Sequence, residues 1–216
     1  SGFADYLYET GEGVENEERL EYLKLIKDQA DRLSKLSQNT LLLARLDACQ
    51  ILTDKENFSL TEQIRQTCIL MLKQFEKKGV ELDLGDEDAR EVFYYGNPEI
   101  MDHVWINLLG NALKFTPAGG RVSLQVEEDS QGQIQVTISD TGEGMDQETR
   151  DHMFERYYQG DQTNLVKGNG IGLAIVWRVM ELVGGQIQVD SEPGKGSKFI
   201  IRLRDEGLQE LSERDL

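Results

Sequence analysis

The chain has 216 residues and 38% hydrophobic content, enough to bury a sizeable core and carry an appendage. Lys and Arg total 23 against 40 Asp and Glu, and the net charge of −17 excludes a general nucleic-acid binder, so any phosphate must be gripped locally. Two cysteines, Cys49 and Cys68, make no metal-ligand spacing or disulfide framework, no run matches a bilayer span, and Ser1-Gly2-Phe3-Ala4 is not a signal peptide. The expectation is a reduced, cytoplasmic domain, compatible with a parent protein anchored in the cell membrane.

In chain order, Phe3, Tyr6, Leu7 and Tyr8 before Gly11 and Gly13 read as the end of one helix entering a turn. From about Val14 to Asp47 there is no Pro or Gly, and Leu20, Leu23, Ile26, Ala30, Leu33, Leu36, Thr40 and Leu43 recur at steps of three and four. This is a long amphipathic helix whose apolar stripe needs a partner helix or a second subunit. Residues 1–52 therefore read as a truncated helical hairpin.

A second unit spans 53–204. Ser59 followed by Glu62 reads as a capping box opening a helix that Gly79 closes. Val80–Leu84 and Glu91–Tyr95 read as strands, and Asn97-Pro98 supplies an N-cap and first-turn proline for a helix running to about Phe115. Val122–Glu127 and Gln133–Ser139 form a hairpin with Gly132 in its turn. Residues 140–169 are polar and glycine-punctuated, Ile171–Val183 reads as a buried helix, and Gln186–Val189 and Lys198–Leu203 complete the sheet. The fold class is α+β, a two-layer sandwich with helices on one face of a mixed sheet. Residues 205–216 are an acidic tail.

Three segments carry candidate chemistry. Asn107, Asn111 and Lys114 lie on one helix face, where neutral oxygen donors beside an ammonium group suit a magnesium ion that keeps phosphate and water ligands. A solvated helix face would carry the same residues. Asp140-Thr141-Gly142-Glu143-Gly144-Met145 leaves a strand, placing a carboxylate where it can accept from the exocyclic amine of adenine, which guanine lacks at that position; a plain turn is the alternative. Gly168-Asn169-Gly170-Ile171-Gly172-Leu173 is a glycine-rich entry into an apolar helix, suited to phosphate. It is not a Walker loop, because no Gly-Lys-Ser/Thr follows. Between the glycine segments, Met153-Phe154-Glu155-Arg156-Tyr157-Tyr158 and the polar stretch Gln159–Asn169 suit a hinged lid.

The order of these segments, finishing with Gly194-Lys195-Gly196-Ser197-Lys198-Phe199, resembles the catalytic and ATP-binding domain of sensor histidine kinases. Asn107–Thr116 resembles that family's N box, Asp140–Gly144 its first glycine box, and Phe154–Tyr158 its Phe box. Gly168–Leu173 and Gly194–Phe199 resemble its second and third glycine boxes, and Glu18–Asp47 is similar to the second helix of its dimerisation hairpin. The resemblance covers residues 1–204 and implies the Bergerat ATP-binding fold.

It further implies a role for each matching residue. Asn111 coordinates Mg2+, while Asn107 and Lys114 face the phosphates beside Phe115. Asp140 binds the adenine amine, with Gly144 letting the base approach. Gly168, Gly170 and Gly172 cover the phosphates, and Arg156 or Lys167 meets the γ-phosphate, while Gly142, Met145, Tyr157, Ile171, Leu173 and Ser197 are further ATP-binding positions. Many members carry arginine where Gln159 stands. The implied activity is a protein-histidine kinase that transfers the γ-phosphoryl of ATP to a hairpin histidine, for relay to a response-regulator receiver domain. The implied assembly is a homodimer through the hairpin.

The acceptor segment, His-Glu/Asp-x-x-x-Pro, is not found in this sequence, and His103 and His152 stand in no matching context. Related folds that hydrolyse ATP place glutamate one turn before the magnesium asparagine, where this chain has Asn107, and a carboxamide is no general base. A serine kinase of the anti-sigma-factor type has no need of the long helix. A non-catalytic nucleotide-binding dimerisation module is the third alternative.

Overall fold

The computed structural model describes residues 16–85, 90–160 and 169–204. The helix end and turn expected within residues 1–13, and the acidic tail, lie outside them. The chain divides into two compact units between Leu42 and Leu43. The first contains the body of helix α1 (Asn16–Ala48). Its apolar stripe is uncovered, with Leu20 and Leu33 each 66% exposed, and Lys27 pairs with Asp31 one turn on, at 2.7 Å.

The second unit begins with the last turn of α1 and a two-stranded antiparallel sheet of β1 (Glu56–Ser59) and β3 (Phe93–Gly96). Between them run α2 (Leu60–Lys78) and β2 (Glu81–Asp83). The Ser59 hydroxyl accepts the Glu62 N–H at 3.2 Å, but the other half of the capping box is not made. The Glu62 carboxylate turns outward to Arg65 at 2.7 Å, since a charged partner one turn along competes with the cap N–H. Gly79 closes α2 in the left-handed region, at φ 70°. Cys68 is buried in this helix, and desolvation pushes its thiol up to about 11.

Helix α3 (Pro98–Phe115) is followed by β4 (Arg121–Glu128), β5 (Gln133–Asp140), the short α4 (Gln147–His152), α5 (Gly172–Val183), β6 (Gln186–Glu192) and β7 (Gly196–Arg204). The main sheet has the order β2-β4-β5-β7-β6, parallel only at β2–β4. It is thus the expected mixed sheet, and α3 packs between α2 and α5 and onto β5. Alternation along β5 sends Ile134, Val136 and Ile138 to the buried face, and Asp140 ends that same row.

Polar anchors fix α3. Fully buried Trp105 donates its indole N–H to Gln63 at 2.9 Å, and the Gln63 amide donates to the Pro98 carbonyl. Lys78 donates to the carbonyls of Leu113 and Lys114, both at 2.7 Å, satisfying the helix end where the N–H ladder stops. At the other end the Asn97 side chain accepts the Ile100 N–H at 2.9 Å and donates to Thr53 O at 2.8 Å. Replacing Asn97 with Ala removes both bonds, so urea denaturation is expected to show a loss of roughly 0.5–2 kcal/mol. An unchanged midpoint would mean that water replaces the cap at no cost.

Candidate functional site

The site forms where the core face of the sheet turns polar. Register pairs Val122 with Asp140, Asp140 with Ser197, and Ser197 with Ser191, so one rung runs across β4, β5, β7 and β6 with its side chains on one face. The rung before it is apolar, with Leu124, Ile138, Phe199 and Val189. Asp140 is 9% exposed. Its Oδ1 accepts the Gly142 N–H at 2.8 Å and the Ser197 N–H at 3.3 Å. Among the described residues no hydrogen bond engages Oδ2, and that oxygen is not sealed off from solvent. Burial raises the Asp140 pKa above the usual carboxylate value, against the lowering effect of the two N–H donors.

The segment after Asp140 is fastened on both sides. Gly142 is pressed against the end of α3, where a Cβ would stand 2.7 Å from Phe115 O, and the Glu143 N–H donates to that carbonyl at 3.3 Å. On the other side a Cβ on Gly144 would stand 1.9 Å from Glu192 O, and Gly144 has φ 67°, so glycine is required twice over. The Met145 N–H donates to the Ser191 hydroxyl at 2.9 Å, and Arg150 of α4 donates to Ser191 O at 2.9 Å.

Asn107 and Asn111 are half-buried on α3, with Lys114 one turn on. The Asn107 amide donates to His103 O at 2.7 Å, and its Oδ1 faces the start of α5: a Cβ on Gly172 would stand 2.5 Å from it. Helix α5 starts without a side-chain cap, its N-cap being the buried Ile171, so its first N–H groups are left for another acceptor. Leu173 follows in the first turn. The structure thus brings Asn107, Ile171, Gly172 and Leu173 together. It brings Phe115, Asp140, Gly142, Gly144, Met145 and Ser197 together at the other end of α3. Among the described residues no hydrogen bond engages the Asn111 carboxamide.

The aromatic segment abuts the second glycine segment. The Tyr157 N–H donates to Gly170 O at 2.7 Å, and both residues adopt positive φ, 63° each. Phe154 packs on Trp177 of α5 with ring centroids 5.0 Å apart. Arg156 turns to Asp47 in the last turn of α1, at 2.8 Å, and is 54% exposed. Arg178 of α5 donates to Leu46 O and Cys49 O beside it. Lys167, Gly168 and most of the expected lid lie outside the described residues. His152 pairs with Glu155 at 2.7 Å, which raises its pKa, on the surface. Ser191, Arg150 and Asp47 are the parts of this arrangement that sequence reasoning missed. Only strand register and contacts distant in sequence bring them in.

Residues 96–207, about half of the chain, match the family described as histidine kinase-, DNA gyrase B-, and HSP90-like ATPase. The chain is 34% identical over 214 residues to drug sensory protein A of Synechocystis sp., covering 93% of this chain and 32% of that protein. It is 31% identical over 216 residues to the circadian input-output histidine kinase CikA of Synechococcus elongatus, covering 98% of this chain and 28% of that one. The chain therefore spans about a third of the length of these relatives. The full-length ShkA crystal structure in complex with AMPPNP superposes with a TM-score of 0.74 at 29% identity, over 88% of this chain and 39% of that one.

The raised pKa of Asp140 has a stability consequence. A carboxyl that binds its proton more tightly folded than unfolded gains stability at low pH and loses it as pH rises through the carboxylate range. Asp140→Asn keeps an oxygen for the Gly142 N–H and removes the buried charge. It is expected to be more stable than the native chain at pH 7, with the gain shrinking toward pH 3, by urea denaturation at both pH values. A less stable variant at pH 7 would show that the N–H donors outweigh burial.

Proposed function

Because the chain belongs to the histidine kinase-, DNA gyrase B-, and HSP90-like ATPase family, we propose that it is the ATP-binding catalytic core of a sensor histidine kinase. The observation that carries this reading is Asp140. A buried carboxylate with one oxygen held by backbone N–H groups and the other unengaged is an acceptor built for a ligand donor, and the adenine amine is such a donor. Gly142, Gly144, Met145 and Ser197 would wall the base. Eight residues back along α3, from Phe115 to Asn107, the uncapped start of α5 suits phosphates, which Gly170, Ile171, Gly172 and Leu173 would surround, joined by Gly168, with Asn107 and Lys114 facing them.

Magnesium fits this donor set. The half-buried Asn111 carboxamide, on the α3 face that also carries Asn107, is a neutral oxygen donor suited to an ion that would take its other ligands from phosphate oxygens and water. When bound, the ion neutralises phosphate charge. The rest of the work falls to the chain's own groups. Asp140 orients the nucleotide by its base, the α5 N–H groups hold the phosphates in line, and the Phe box beside α5 shields them from water. For the γ-phosphate the cationic candidates are Arg156, with Tyr157 beside it, and Lys167. Arg156 would exchange Asp47 for phosphate, and an exposed pair of this kind is worth only about 0–1 kcal/mol.

The γ-phosphoryl would pass to a histidine nitrogen on the dimerisation hairpin and then to a response-regulator aspartate. The uncovered stripe of α1 supports a homodimer through that hairpin. No described helix is long and apolar enough to cross a membrane, and a cytoplasmic position in a parent protein, membrane-anchored or not, agrees with this. ATP hydrolysis as the main activity is disfavoured, because Asn107, its amide committed to His103 O, stands where a general base is needed.

Asn111→Ala is expected to abolish the magnesium dependence of nucleotide affinity and leave the melting temperature unchanged, by calorimetric titration with and without the ion. Equal losses in both conditions would make Asn111 a structural residue. The activity itself is tested with radiolabelled Mg-ATP. The chain alone is expected to acquire no acid-labile phosphate, and an added dimerisation hairpin carrying the acceptor segment is expected to be labelled slowly, since no tether supplies effective concentration. Acid-labile label on His103 or His152 would overturn the acceptor assignment, base-labile label on serine would favour a serine kinase, and no label on the hairpin despite ATP binding would favour a non-catalytic module.

A further inference from the structure

Ser191 lies on β6, the edge strand of the sheet, yet it is 6% exposed and its hydroxyl bonds into the site. Its hydroxyl accepts the Met145 N–H at 2.9 Å, donates to Gly196 O at 3.0 Å and stands 3.1 Å from the Ser197 hydroxyl. Its carbonyl accepts from Arg150 at 2.9 Å. It closes the rung that begins at Asp140, and the Ser197 N–H between them is one of the two donors that fix Asp140 Oδ1.

We propose that Ser191 is a positioning residue for base selection: it sets the aim of Asp140 by clamping the first glycine segment at Met145 to the third at Gly196 and Ser197. The proposal rests on the reading of Asp140 as the adenine acceptor. One hydroxyl makes the connection because it can accept and donate at once, which an alanine, a valine or a second carbonyl at this place cannot do. In the segment from Gly142 to Met145 the two glycines bring no side chain and lie close to the Phe115 and Glu192 carbonyls, and hydrogen bonds from Glu143 to Phe115 O, from Gly194 to Glu143 O and from Met145 to Ser191 hold it over the sheet. Arg150 holds the Ser191 backbone from outside, and among the described residues its buried Nε has no partner, so this guanidinium is fixed by its other two nitrogens.

The test compares ATP with purine riboside triphosphate, which differs from ATP at the base only in lacking the 6-amine, by calorimetric titration of the whole chain. The native chain is expected to prefer ATP and Asp140→Asn to lose that preference. Ser191→Ala is expected to weaken ATP by about tenfold while changing the amine-free nucleotide by less than about threefold, and to add nothing in the Asp140→Asn background. Ser191→Cys, which keeps the volume but weakens both bonds, is expected to shift the same ratio in the same direction by a smaller factor. Equal weakening of both nucleotides in a folded Ser191→Ala protein would make Ser191 merely structural and overturn the proposal. So would an unchanged preference in Ser191→Ala beside a lost one in Asp140→Asn, which would leave the adenine reading standing. A native chain with no preference for the amine would overturn both.

Discussion

The site depends on two backbones touching where no side chain fits between them. A Cβ on Gly196 would stand 1.9 Å from Asp140 O, and one on Gly144 would stand 1.9 Å from Glu192 O. The strand end that carries Asp140 and the turn that joins β6 to β7 are therefore locked at each other's surface, and the Gly194 N–H donates across the same junction to Glu143 O. Any residue larger than glycine at either point must separate the two segments by more than an ångström, which is enough to break the N–H contacts to Asp140 Oδ1. Close backbone approach here is the condition for a buried carboxylate with a fixed direction.

That carboxylate is placed against the interests of the fold. Three apolar residues, Ile134, Val136 and Ile138, precede it on the core face of β5, and a fourth apolar residue would be the stabilising choice. The structure tolerates the charge because two N–H donors meet one oxygen, which leaves the other oxygen as the unspent acceptor. Stability and ligand selection pull in opposite directions at this one position, as is common where a site is built into a packed edge.

Where the signal is local, the sequence is readable. Asn97-Pro98, Gly79 and Gly132 mark helix and hairpin ends through caps and left-handed turns, and each stands where those rules put it. Strand β1 has Phe58 as its one apolar residue and helix α4 has none, so neither shows a hydrophobic period in the pattern. The motif residues of the site are legible for the same reason as the caps, since glycine and asparagine spacing survives in one dimension. What holds them is not legible: Ser191 reaches Met145 across 46 positions and Arg156 reaches Asp47 across 109. Nothing in their own neighbourhoods distinguishes them from surface polar residues.

An acidic chain can still hold an anion if its charges are kept apart, and α3 supplies the spacing. On the proposed reading Asp140 sits at the Phe115 end and the phosphates lie at the Asn107 end, where a rise of about 1.5 Å per residue gives a separation of about 12 Å. At an effective dielectric of about 20, two unit charges about 12 Å apart repel by only about 1.4 kcal/mol, so the carboxylate acts on the neutral base without strongly repelling the phosphates. At the phosphate end uncharged donors, the N–H groups of an uncapped helix start and the amides of a polar helix face, would work beside the cations Lys114 and Arg156. Direction supplements charge there, because a backbone N–H aimed at an oxygen works within one hydrogen-bond length, whereas the field of a net charge of −17 is long-ranged and screened by salt.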